Sequence, residues 1–162
     1  MQANIKKAFQ WIVDIIKTNG VPFYVSGGIA ANVYGADRPI FDIDIEIPDQ
    51  CFDKIFPLVK DFVIYGPRRY MDANFDILLM TLEYEGQRID ISGCTSDKLY
   101  DRDKGIWEFY GDKISNVIEK DVYGLKVPVI NRQDLIEYKK KIKRPTDLED
   151  VIAIKKILKD KS

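Results

Sequence analysis

The chain has 162 residues, enough for one compact domain or a domain with a small helical appendage. Apolar residues make up 46% and charged residues 31%, a globular balance that excludes a disordered chain. The formal net charge of -1 excludes a global basic field that gathers nucleic acid, so only a local basic patch is left for that role.

Ala8, Phe9, Ile12, Val13, Ile15 and Ile16 recur at helical spacing and Asn19-Gly20 ends the run, which predicts a first helix over about 3–18. Its charges at Lys6, Lys7, Asp14 and Lys17 interrupt any signal peptide or membrane span, and the protein reads as cytoplasmic with no membrane partner. Val21 to Val25 is a short strand-forming run that breaks at Ser26-Gly27-Gly28, and Ile29 to Tyr34 then reads as a short helix ending at Gly35. Phe41-Asp42-Ile43-Asp44-Ile45-Glu46-Ile47 alternates strictly, so it reads as a strand with carboxylates on one face and apolar groups on the other. Asp49 can cap a helix from Gln50 to Val59.

Phe75 to Tyr84 and Gln87 to Ser92 flank Glu85-Gly86 and predict a hairpin. Residues 94–112 are charged and read as loop; Asp101-Arg102-Asp103-Lys104-Gly105 lacks the ligand pattern of a calcium loop and reads as a surface turn. Ile114 to Glu119 and Lys126 to Ile130 suggest a second hairpin. Asn131 caps a helix through about Ile142, and Pro145-Thr146 opens a last helix with Leu148, Val151, Ile152, Ile154, Ile157 and Leu158 at helical spacing. This order indicates an α+β (α/β-like) fold: a mixed sheet flanked by helices, with further helices at the C-terminal end. The domain reading is one unit over 1–162, with a core over 1–95 that carries the motifs and a hairpin with helices over 96–162.

The chain has no histidine, which excludes Ser-His-Asp and Cys-His triads and histidine metal sites. Cys51 and Cys94 stand far apart in no paired motif and read as reduced thiols. Acid–base and metal chemistry therefore falls to carboxylates, which favour hard ions such as Mg²⁺, with Mn²⁺ as the alternative. Asp42 and Asp44, two apart on a strand, point to one face within reach of a shared cation. The plain alternative is an exposed polar strand face. Asp90, on the alternating Arg88-Ile89-Asp90-Ile91-Ser92, can complete a three-carboxylate site; Asp76 is its rival, and position on the sheet decides between them. Ser26-Gly27-Gly28 stands at a strand-to-helix turn, where glycine permits close backbone approach and free N–H groups attract phosphate oxygens. A turn chosen for conformation alone is the alternative there.

Gly27-Gly28, thirteen residues, then Asp42-Ile43-Asp44 resembles the signature of the polymerase-β-like nucleotidyltransferases. Val21 to Ile47 is similar to the matching segment of the small lincosamide nucleotidyltransferases and of nucleotidyltransferase-like toxins. Asp134 to Lys139 and Arg144 to Asp150 resemble a recurrent ending of these minimal proteins. The resemblance spans about residues 21–155, loosely over 95–125. It implies transfer of a nucleoside monophosphate from an NTP to a hydroxyl-bearing acceptor. Ser26, Gly27 and Gly28 would hold phosphates, and Asp42 and Asp44 would bind Mg²⁺. Asp90 would bind the catalytic ion or act as general base, and Arg38 and Lys139 would contact phosphates. Lys139 also belongs to the charge run Lys139–Arg144, which equally suits a solvated face, while Asp147 and Asp150 read as residues of a helix start and local ion pairs. Relatives often carry Thr where this chain has Ile40 and a basic residue where it has Thr146. A small-molecule acceptor is the leading expectation. The alternatives are a toxin-type transferase acting on tRNA or protein, for which Arg68-Arg69-Tyr70 and the late basic run would form the contact surface, and a catalytically silent nucleotide-binding or interaction module.

Overall fold

A computed structural model of the chain describes residues 2–111 and 113–160. Met1, Asp112 and the final two positions of the domain ranges lie outside the described residues. The elements run α1 (Gln2–Thr18), β1 (Tyr24–Ser26), α2 (Gly27–Val33), β2 (Asp42–Ile47), α3 (Phe52–Val59), β3 (Val63–Met71), β4 (Phe75–Tyr84), β5 (Gln87–Gly93), β6 (Lys98–Asp101), β7 (Ile106–Phe109), β8 (Ile118–Val122), β9 (Leu125–Val129), α4 (Arg132–Ile142) and α5 (Pro145–Asp160). The strands join in one sheet in the order β7-β6-β4-β5-β2-β1-β9-β8, with β3 on β4. The pairs β2–β5 and β1–β9 are parallel and the rest antiparallel, so the expected α+β fold with a mixed sheet is observed.

Alternation on β2 sorts its side chains. Ile43, Ile45 and Ile47 are fully buried, as are Ile89 and Ile91 of β5 and Met80 and Leu82 of β4. This apolar face shares a core with Phe9, Ile12, Val13 and Ile16 of α1 and Phe52, Ile55 and Val59 of α3. The opposite face, polar on β2 and β5 and carrying Ile77 and Leu79 on β4, lines a cavity beneath α4 and α5. Asn131 caps α4 as expected: its side chain accepts from the Asp134 backbone N–H at 2.8 Å.

Several expectations need correction. The 94–112 stretch, read as loop, holds β6 and β7; each is four residues long, too short to show alternation, and the Asp101–Gly105 turn joins them. The Asp101 carboxylate accepts from the Asp103 and Lys104 N–H groups, which fits a turn. Residues 63–71, given no element from sequence, form a strand whose register shifts across Gly66-Pro67. The first strand lies later than expected and α2 begins at Gly27, since Gly27 adopts φ +63 and turns the chain into the helix. Ile114–Asn116 is a single helical turn, and β8 starts at Ile118. No described helix is long and apolar enough to cross a membrane.

Candidate active site

The parallel pairing of β2 and β5 sets Asp42 opposite Arg88, Asp44 opposite Asp90, and Glu46 opposite Ser92. All six line one cavity of about 420 Å³. Asp90 is therefore the carboxylate beside the Asp pair. The rival Asp76 lies outside this cavity, where its carboxylate accepts from Arg69 Nε at 2.7 Å. Asp90 accepts from the Thr81 hydroxyl at 2.7 Å and pairs with Arg88 at 3.3 Å. Among the described residues no three acidic side chains converge to metal-binding distance.

The anionic row is electrostatically loaded. Burial, then the Asp90 charge, pushes the Asp42 carboxyl up, with Arg88 opposing. Asp44 is pushed up to about 7 by burial and by the Asp90 and Asp42 charges, which outweigh Lys139 and Arg144. Glu46, on the same face and not singled out from the sequence, is pushed up to about 8 by burial and by Asp97, with the Ser26 and Tyr24 hydroxyls pulling the other way. Asp97 itself is nearly fully buried and pushed up to about 7 by desolvation, against the Asp97 and Gly111 backbone N–H groups.

The glycine turn touches this row directly. A Cβ on Gly27 would stand 2.1 Å from Asp44 Oδ2, and one on Gly28 would stand 3.3 Å from an Arg38 guanidinium nitrogen. Ser26 makes no side-chain cap to α2; its hydroxyl turns to Glu46 instead.

The cations stand along the edge formed by α4 and α5. Arg38 makes a two-point ion pair with Asp150, at 2.8 and 2.9 Å. Lys139 reaches Asp150 at 2.9 Å and Asp147 at 3.2 Å, and Arg144 closes the chain on Asp147 at 2.7 Å. Lys139 is only 2% exposed, so its solvated-face reading is overturned, while the ion-pair reading of Asp147 and Asp150 holds. Burial would raise the Asp150 carboxyl, but Arg38 and Lys139 more than reverse this and hold it below the usual carboxylate range. Arg38, Lys139, Arg144 and Thr146 all line the cavity. Arg144 was missed from sequence as a site residue, although it closes the same basic run as Lys139, just past the left-handed Lys143 that ends α4. Arg69 is held by Asp76 and Ser96, and Arg68 stacks on Tyr65, so the predicted contact surface at Arg68-Arg69-Tyr70 is tied into local pairs.

No family model matches the sequence, and no curated protein matches it at a significant level. Solved structures do. A candidate nucleotidyltransferase from Thermotoga maritima aligns with TM-score 0.72 at 21% identity, covering 99% of this chain and 96% of its own. The fold is that of the nucleotidyltransferases. The lincomycin-bound lincosamide antibiotic adenylyltransferase LnuA aligns at TM-score 0.61 and 19% identity, covering 92% of this chain and 95% of that one. The antibiotic-resistance factor ANT(2'')-Ia aligns at 0.64 and 16%, covering 98% and 86%. In this chain the Gly-Gly turn and the strand pair bearing Asp42, Asp44 and Asp90 all line the cavity described above.

Proposed function

We propose that this protein transfers a nucleoside monophosphate from an NTP to a hydroxyl group of a small-molecule acceptor. The observation that carries this reading is the register of Asp42, Asp44 and Asp90 on two adjacent parallel strands, facing a cavity whose opposite edge is lined with Arg38, Lys139 and Arg144. Carboxylates at one edge and cations at the other suit a polyphosphate held between them. The near-neutral net charge of -1, together with antibiotic-modifying proteins among those of like fold, favours a small acceptor over a nucleic acid. On this reading 1–95 and 96–162 act as one unit, since Lys139 of α4 and Arg144 of the α4–α5 turn line the same cavity as the carboxylates of β2 and β5.

The side chains present fit a hard divalent ion in kind: the donors are all carboxylate oxygen, and burial leaves Asp44 in need of positive charge. Asp42, Asp44 and Asp90 would hold Mg²⁺ or Mn²⁺, which supplies neutralising charge to the phosphate oxygens. The chain's own groups do the rest. Ser26, Gly27 and Gly28 bring backbone N–H groups against the phosphates, and Gly27 is required because any side chain there would strike Asp44. Asp90 takes the proton of the acceptor hydroxyl as its oxygen bonds to the α-phosphorus. The bond from that phosphorus to the bridging oxygen breaks, and pyrophosphate leaves towards Arg38, Lys139 and Arg144. Incubation with each α-labelled NTP and a panel of hydroxylated small molecules tests this reading. Label should pass to an acceptor with wild type and not with a folded Asp90→Asn variant; equal transfer by the variant removes Asp90 from the mechanism.

A further inference from the structure

Asp90 is the one of the three site carboxylates that other described side chains hold. The Thr81 hydroxyl donates to its Oδ1 at 2.7 Å, and Arg88 Nε lies 3.3 Å from each of its oxygens. Asp42 and Asp44 accept no hydrogen bond from a described side chain. Their carboxyls are free to turn towards an ion, whereas that of Asp90 is already set.

Register places Thr81. It stands opposite Asp90 across β4–β5 and opposite Tyr65 across β3–β4. Met80 and Leu82 on either side of it enter the core, so Thr81 points to the face of the sheet that bears Asp90. It is 2% exposed and lies outside the cavity lining, to which Ile77 and Leu79 of the same strand belong. Thr81 therefore reaches a ligand only through Asp90. The two partners of Asp90 supply different things. The Arg88 side chain is half exposed, and 3.3 Å is long for a charged pair, so it supplies charge more than direction. Threonine is branched at Cβ and stiff at χ1, and a short hydroxyl bond to a charged acceptor is both strong and directional.

We propose that Thr81 is a positioning residue that assigns the two oxygens of Asp90. Oδ1 is fixed against β4, and Oδ2 is presented to the ion and to the acceptor hydroxyl. This rests on the transferase reading, which gives Asp90 its task. A carboxyl that turns freely spends only part of its time in the working orientation. A hydrogen bond from behind the site removes that freedom before any ligand arrives.

Titration of the full chain with Mn²⁺, read from the loss of the paramagnetic resonance signal of the free ion, tests this role. Thr81→Val keeps the branched shape and removes the hydroxyl, and Thr81→Ser keeps the hydroxyl. Thr81→Val should weaken Mn²⁺ binding by about tenfold, the low end of what the outer partners of metal ligands contribute. Thr81→Ser should bind as wild type does. Adding Thr81→Val to Asp90→Asn should weaken binding no further, because the group that Thr81 positions is gone. A hydroxyl that only stabilises the fold would lower the melting temperature and leave the Mn²⁺ affinity of the folded protein as it was. Thr81→Ala repeats the comparison should the Val variant fail to fold. Wild-type affinity in the variant without the hydroxyl overturns the proposal. So does a Ser variant as weak as the Val variant, or a full further loss on the Asp90→Asn background. The two readings fail differently: absence of Mn²⁺ binding by wild type overturns the transferase reading, while wild-type binding that loss of the hydroxyl leaves unchanged overturns the positioning role alone.

Discussion

Replacing Asp44 by Asn should stabilise this protein at alkaline pH and leave it unchanged in acid. In the fold, Asp44 titrates at about 7, against 3.8 for a free side chain. Each unit corresponds to about 1.4 kcal/mol, so the gap sets a ceiling of about 4 kcal/mol. Asp44 still meets cavity water, and screening reduces this to about 1–2 kcal/mol. A folded value above the unfolded one means that the folded state binds the proton more tightly. Full stability is therefore present below about pH 4 and is lost as pH rises to about 7. Asn carries no charge and escapes that loss. Scanning calorimetry in the presence of a chelator should show Asp44→Asn melting about 3–7 °C above wild type at pH 8 and level with it at pH 4. Added Mg²⁺ should raise the wild type towards the variant. A variant that melts lower than wild type at pH 8, or a difference that is the same at both pH values, refutes the reasoning that the acidic row is held under repulsion for a cation.

Lys139→Met should cost about 1.5–3 kcal/mol in urea unfolding, because it takes one of two cations from each of the buried Asp147 and Asp150, which keep Arg144 and Arg38; a cost below about 1 kcal/mol would show that the network is not structural. Gly27→Ala should destabilise by more than about 1–2 kcal/mol and abolish NTP binding, since it joins a left-handed backbone to a collision with Asp44; retained NTP affinity counts against the close-approach role. Asp76→Asn should leave transfer unchanged, because Asp76 serves Arg69 away from the cavity; a loss as large as that of Asp90→Asn would reverse the choice of third carboxylate. Thr146→Lys should tighten NTP binding by about three- to tenfold by adding a cation to the phosphate edge, read by calorimetry; unchanged affinity would place the phosphates elsewhere.

Much of the fold could be read from the sequence where a period was long enough to register. Strict alternation from Asp42 to Ile47 announces both the strand and its two faces, and the same alternation places Glu46 beside the Asp pair. Asn131 signals its helix by the capping oxygen alone. The β3 strand stayed hidden because Gly66, Pro67, Arg68 and Arg69 break both alternation and apolarity, and β6 and β7 stayed hidden because four residues complete barely two periods. Lys139 shows how composition can mislead: in a run of Lys and Arg it looks solvated, yet it shares a helix face with Leu135, Ile136 and Ile142, all buried. Its partners, Asp147 and Asp150, come from the next helix, and only the packing of α4 on α5 brings them together. Asp97 carries no local signal at all, since its burial depends on the return of the chain through β7 and Gly111.

The account turns on whether the cavity holds a nucleotide with its metal. Calorimetric titration of each NTP, with and without Mg²⁺, onto wild type and a folded Asp42→Asn/Asp44→Asn variant measures this most directly. The account predicts Mg²⁺-dependent binding by wild type that the variant loses. Binding of no NTP by wild type, or equal Mg²⁺-dependent binding by the variant, would contradict it.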